Sequence, residues 1–150
     1  MDPALPMFEN LAKSADHSML VSAFRAAGLA DRLPRPVTLF APTNQAFVQL
    51  PQGTLAALMV AENRALLTQL LSYHVVSGAK TRADIAADAR AGGGTAVYRT
   101  LQGGSIRVTI EGDRLTVIDV HGNRSAVTIP DVRHANGVVH VVGAVLLPVT

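Results

Sequence analysis

The sequence predicts an α+β domain, with helices packed against an antiparallel sheet or sandwich. Three observations predict it. Apolar residues recur at helical spacing in the first half of the chain. Beyond the Gly92-Gly93-Gly94 run they recur at every second position. A final run, Val138 to Leu147, is too apolar to be half exposed and belongs in the core. No Pro- and Ser-rich linker and no fixed-period repeat divides the 150 residues, so 1–150 reads as one domain.

The elements follow in order. Asp16 or Ser18 can cap a helix to about Ala27, with Leu20, Val21, Phe24 and Ala27 on one face and Gly28 as its stop. Leu29 to Leu33 reads as a short turn, and Pro34 and Pro36 then force extension. Val37 to Ala41 is a short buried strand that Pro42 ends, and Thr43 or Asn44 caps one turn through Phe47. Pro51-Gln52-Gly53 is a turn, and Thr54 opens a helix through Leu55, Leu58 and Met59. A longer helix from about Glu62 buries Leu66, Leu67, Leu70 and Leu71 and runs into Ser72-Tyr73-His74. Val75-Val76 is extended and stops at Gly78, and Thr81 to Ile85 is a short helical or irregular turn. Strands are predicted over Thr95–Leu101, Ser105–Glu111, Arg114–Val120 and Arg124–Ile129. Gly112-Asp113 and His121-Gly122-Asn123 are turns, and Pro130 breaks the strand before it. Asn136-Gly137 turns the chain into a last strand, Val138–Val142 and then Ala144–Leu147.

Composition narrows the function. Hydrophobic residues make up 49% and charged residues 16%, which excludes a disordered chain. With no cysteine, a disulfide scaffold, a thiolate zinc site, a CxxC redox centre and a cysteine nucleophile are all excluded. The net charge of +2 is small and the arginines are spread along the chain, so no nucleic-acid patch is expected. Aromatics at 4% with no Trp argue against base or sugar stacking. No basic region followed by an apolar one opens the chain after Met1-Asp2-Pro3. No apolar stretch approaches the roughly 20 residues of a membrane span. The chain is therefore cytosolic, or a mature form with its export signal removed.

Catalytic constellations are thin. There is no GxSxG elbow, and Ser72 next to Tyr73-His74 does not face the histidine. His134 and His140, with Asp131, match no metal-ligand spacing. His140, inside a valine run, reads as a buried histidine with one hydrogen-bond partner, and His17 and His121 read as solvated. The glycine run precedes a strand and lacks phosphate-cradle spacing. Asp119 and Asp131 stand alone, and Glu111 and Asp113 flank a turn.

Three local strings carry more detail than packing requires. They are Thr38-Leu39-Phe40-Ala41-Pro42-Thr43-Asn44-Gln45-Ala46-Phe47, the Tyr73-His74 pair, and Asn136-Gly137-Val138-Val139-His140-Val141-Val142, which closes at Pro148. In that order they resemble the fasciclin (FAS1) domain family: its N-terminal box, its tyrosine–histidine motif and its C-terminal box. Coverage runs from about Phe8 to Pro148. One departure is Gly143, where the family often has an acidic or amide residue.

The resemblance implies a wedge-shaped β-sandwich with several helices in the N-terminal half. It also implies a non-catalytic, extracytoplasmic module for cell adhesion or surface interaction, of bacterial type. Such a module is secreted, periplasmic or on the cell surface, and its partner is a protein or cell-surface component. No cofactor, metal or nucleic acid is implied. The alternative is a small-ligand or lipid-binding module with an apolar pocket between sheet and helices. The motif positions to watch are Thr38, Phe40, Pro42, Thr43, Asn44, Phe47, Tyr73, His74, Asn136, Gly137, His140 and Pro148. Each has a structural reading beside a partner-binding one: Phe40 and Phe47 fill the core, Thr43 or Asn44 caps, and Tyr73 and His74 bond backbone groups. Animal members bind integrins through an Asp-Ile-type element and the tyrosine–histidine region, which Asp84-Ile85 and Tyr73-His74 loosely match, but a single domain without animal context gives little reason to carry that binding over.

Overall fold

The computed structural model describes residues 17–29, 36–49, 57, 60–111, 114–134 and 137–146. In chain order its elements are α1 (Ser18–Ala27), β1 (Val37–Pro42), α2 (Asn44–Val48), a 3-10 turn (Ala61–Asn63), α3 (Arg64–Ser72), β2 (Val75–Ser77) and α4 (Arg82–Ala91). There follow β3 (Thr95–Arg99), β4 (Ser105–Glu111), β5 (Arg114–Ile118), β6 (Arg124–His134) and β7 (Gly137–Val142).

The strands form one sheet in the order β2-β1-β7-β6-β5-β4-β3. Its pairings are antiparallel except β1–β7, which is parallel. The two edges nearly meet: Val76 bridges Thr100, and Leu101 N–H donates to the Val75 carbonyl at 2.9 Å. The result is a nearly closed barrel or sandwich in a mixed α+β fold, with one parallel pairing in a sheet expected to be antiparallel.

That parallel pair, second and third in the sheet, is covered on both faces. β1 and β7 are buried at every position, as parallel strands usually are. Val37, Leu39 and Ala41, with Val139 and Val141, meet a helical layer that includes Leu20 and Phe24 of α1, Phe47 of α2, and Leu67, Leu70 and Leu71 of α3. The alternate side chains Phe40 and Val142 join Tyr73, Ile85, Tyr98, Ile106, Val108, Val117 and Leu146 inside the curled sheet. Alternation along one strand thus builds two cores.

α1 buries Leu20, Val21, Ala23, Phe24 and Ala27 as expected, and Gly28 closes it at φ 70°. Its start differs from expectation: Ser18 is the first helical residue, His17 precedes it without a side-chain cap, and His17 is buried rather than solvated. In α3, Leu66 is half exposed, so the apolar stripe is narrower than the leucine pattern implies. Thr81 to Ile85 proves to be the start of the ten-residue helix α4. Thr81 accepts from the Asp84 backbone N–H, and the Asp84 carboxylate accepts from the Thr81 N–H, a complete capping box.

Pro130 does not end its strand. β6 runs through to His134, with register shifts on both sides of Ile129, between Val127 and Val132. A proline is tolerated in such an irregularity because the missing N–H need not join the ladder. Residues 143–146 leave the sheet after Val142 instead of continuing as a strand. The expected turns at 51–53 and 112–113, the helix through Leu55, most of 29–33, and Asn136 and Pro148 lie outside the described residues.

Candidate functional site

The motif residues converge on the junction between α3 and β2. Tyr73 and His74 leave the helix with N–H groups still bonded to the Gln69 and Leu71 carbonyls. Both side chains are buried. The His74 ring spans two segments: Nδ1 lies 2.8 Å from the Leu70 carbonyl, and Nε2 lies 2.9 Å from the Leu146 N–H. Because Leu146 can only donate, Nε2 accepts and Nδ1 carries the proton. Burial pushes the ring pKa from 6.5 down to about 4, outweighing the bond to Leu70, so His74 is a neutral strut. The His74 carbonyl also accepts from the Phe40 N–H at 2.9 Å.

The Tyr73 hydroxyl donates to the Ser105 carbonyl at 2.8 Å and accepts from the Val120 N–H at 3.1 Å. It thereby ties the start of β4 to the β5–β6 turn. Burial raises its pKa above 10.0, a phenol held as a donor.

A second knot lies on β1 and β7. Thr38 Oγ1 donates to the Gly78 carbonyl and accepts from the Lys80 N–H, each at 2.7 Å. His140 Nε2 lies 2.7 Å from the Lys80 carbonyl and donates to it. Phe40 and His140 are register partners, and their rings stack with centroids 5.7 Å apart. The Lys80 ammonium lies 3.6 Å from the Asp88 carboxylate, which also accepts from the Tyr98 hydroxyl at 2.6 Å. Burial, and then that carboxylate, hold the Tyr98 phenol well above its ordinary range.

The end of the first string fastens the helices. Thr43 caps α2 by accepting from the Ala46 N–H at 3.2 Å. Asn44 reaches to α1, where its Oδ1 accepts from the Met19 N–H at 2.9 Å and its Nδ2 donates to Ser18 Oγ at 3.0 Å. An orphan donor of one helix is thus satisfied by a side chain of another. Pro42 is the last residue of β1, and Phe47 packs in the helical core. A Cβ on Gly137 would collide with the backbone of Val37 across the parallel pair, which explains glycine there.

These contacts leave little for covalent chemistry. The polar tips of Thr38, Thr43, Asn44, Tyr73, His74 and His140 are all bonded within the fold. Among the described residues no three His, Asp or Glu side chains gather as a metal cage. Asp84 is committed to its cap and Ile85 is fully buried, so the Asp84-Ile85 pair does not form an exposed recognition element.

Sequence reasoning missed two organisers. Asp119 is buried, and its Oδ1 accepts from the His121 and Asn123 N–H groups at 2.9 and 3.0 Å. An Asp three residues ahead of the turn glycine Gly122 was a legible signal for that loop. Ser125 exchanges two bonds with Ala144, donating to its carbonyl at 2.9 Å and accepting from its N–H at 3.0 Å. Nothing local to Ser125 announced this.

Comparison with known proteins agrees with the geometry. The Fasciclin domain model matches residues 15–148. Protein sll1483 of Synechocystis sp. is 36% identical over 149 residues, covering 98% of this chain and 76% of that protein. Human periostin is 32% identical over 134 residues, 85% of this chain but 14% of periostin. In fold, the chain is similar to a FAS1 domain pair from the insect cell adhesion molecule fasciclin I. The TM-score is 0.85 at 22% identity, over 97% of this chain and 51% of that one.

Proposed function

The chain belongs to the fasciclin domain family, and from that premise we propose that it is a non-catalytic adhesion or surface-interaction module working outside the cytoplasm. Its partner is a protein or cell-surface component. The insect protein of the same fold is described as a cell adhesion molecule, which supports this reading. Among the described residues no helix is long and apolar enough to cross a membrane.

One observation carries the proposal. The polar tips of the motif face inward onto backbone groups of Gly78, Lys80, Ser105, Val120 and Leu146. Thr38, Phe40, Pro42, Thr43, Asn44, Phe47, Tyr73, His74, Gly137 and His140 therefore hold the fold, and the exposed surface meets the partner. The same role is proposed for Asn136 and Pro148 from the motif alone.

Two measurements test the proposal together. Cell fractionation of the producing organism should find the protein in an extracytoplasmic fraction. The purified, labelled domain should sediment with intact cells. A protein confined to the cytosol that does not bind cells overturns the reading.

A further inference from the structure

The arginines, spread through the sequence, are gathered by the strand register. Val97 pairs with Arg107, Arg107 with Ile118, and Ile118 with Arg124, one row across β3 to β6. Arg99 lies two residues beyond Val97 on the same outer face. The inward partners Ala96, Tyr98, Ile106, Val108 and Val117 are buried, while Arg99, Arg107 and Arg124 are exposed. A strand spacing of about 4.8 Å places Arg107 and Arg124 about 10 Å apart, with Arg99 about 8 Å from Arg107. That is close to one Debye length at physiological salt, so the three guanidinium groups act on a ligand together.

The nearby acidic groups have other partners. None of the three forms an ion pair or hydrogen bond among the described residues. Asp119, next to Ile118, is buried and holds turn amides. Asp88 is engaged by Tyr98 and Lys80. Glu111 stands in register with Arg114, toward the other end of the β4–β5 hairpin.

We infer that the outer face of β3–β6, through Arg99, Arg107 and Arg124, is a docking surface for an acidic polysaccharide, a polymer carrying carboxylates or sulfates at sugar-to-sugar intervals. Guanidinium forks pair with carboxylates and sulfates in bidentate fashion. Beside the arginine row Thr95 and Thr116, in register on either side of Thr109, bring hydroxyl-bearing side chains next to the charges, while the Thr109 hydroxyl itself is buried. The face suits a membrane or nucleic acid less well. Both tyrosines are buried, so this face offers neither base nor sugar a tyrosine ring to stack on, and a polymer is held here by charge and hydrogen bonds. Val97 is the one strongly exposed large apolar residue of the arginine row, short of the apolar face that membrane insertion needs. The inference rests on the surface-interaction reading and gives that module a partner class.

The test uses the full chain on immobilised polygalacturonate, by biolayer interferometry. Three proteins are compared: wild type, Arg99→Gln/Arg107→Gln/Arg124→Gln, and Arg25→Gln/Arg64→Gln/Arg90→Gln. The last removes the same charge from exposed helix positions. Expected is wild-type binding that weakens with salt, at least tenfold weaker binding by the sheet-face variant, and a change within twofold for the helix variant. Arg107→Gln alone, the least disruptive change, should already weaken binding severalfold. Equal losses in both triple variants, unchanged binding by the sheet-face variant, or no wild-type binding overturns the inference. So does tighter binding to duplex DNA or phosphatidylglycerol vesicles at equal charge concentration. A wild type that binds intact cells but not polygalacturonate overturns this inference and leaves the surface role standing. Polygalacturonate binding by a protein found solely in the cytosol does the reverse.

Discussion

Acid should loosen this fold through His74, and the size of the effect follows from its surroundings. In the folded chain the ring is neutral, with Nε2 accepting from the Leu146 N–H. Protonation would set two donors face to face in a buried site. The folded pKa is about 4 against an ordinary 6.5. The unfolded chain therefore binds a proton that the folded chain refuses between those values. Above pH 6.5 neither state is protonated and the full stability is present; it falls as pH drops through 6.5, and the loss is complete near pH 4. At about 1.4 kcal/mol per pH unit the window is worth about 3 kcal/mol. Urea denaturation of wild type and His74→Gln at pH 7.5, 6.5, 5.5, 4.5 and 4.0 isolates it, because contributions from the carboxylates and other histidines cancel in the difference. The stability of wild type relative to His74→Gln should fall by about 3 kcal/mol across the series. A difference that stays flat with pH, or a His74 ring that titrates near 6.5 by NMR, would show that the buried ring is not held neutral.

Other substitutions probe the remaining contacts. Tyr73→Phe strands the Val120 N–H and Ser105 carbonyl and should cost about 1–3 kcal/mol in chemical denaturation. Gly137→Ala drives a methyl into the Val37 backbone and should cost about 3 kcal/mol or more, read as a large drop in Tm or loss of soluble protein. Thr109→Val removes a buried hydroxyl without a hydrogen-bond partner in favour of an isosteric strand former, so stability should hold or rise by about 1 kcal/mol.

The features legible in the sequence were those that local periodicity encodes. β3, β4 and β5 alternate at period two because one face is solvated. α1 shows its stripe from Leu20 to Ala27. β1 and β7 announced themselves as buried because both faces are apolar. α4 shows little periodicity because its buried face is only Ile85 and Ala89, although Thr81 and Asp84 carry a capping box in the sequence. What stayed hidden depends on contacts between distant segments. The parallel β1–β7 pairing, the register shifts that absorb Pro130 and the link between Ser125 and Ala144 leave no local trace. The motif positions were legible as a set, but their partners were not: no spacing rule connects Thr38 with Lys80 or His74 with Leu146. The arginine row escaped for the same reason, since residues 99, 107 and 124 become neighbours only through the register.

If the motif residues hold the fold while the exposed surface meets the partner, weakening the motif lowers stability and leaves binding intact. The most direct measurement is the affinity of Tyr73→Phe and His74→Gln for intact cells, at a temperature and pH where circular dichroism shows both fully folded. Affinities equal to wild type are expected, although both variants unfold at lower denaturant concentration. Loss of cell binding by a variant that remains fully folded would contradict it.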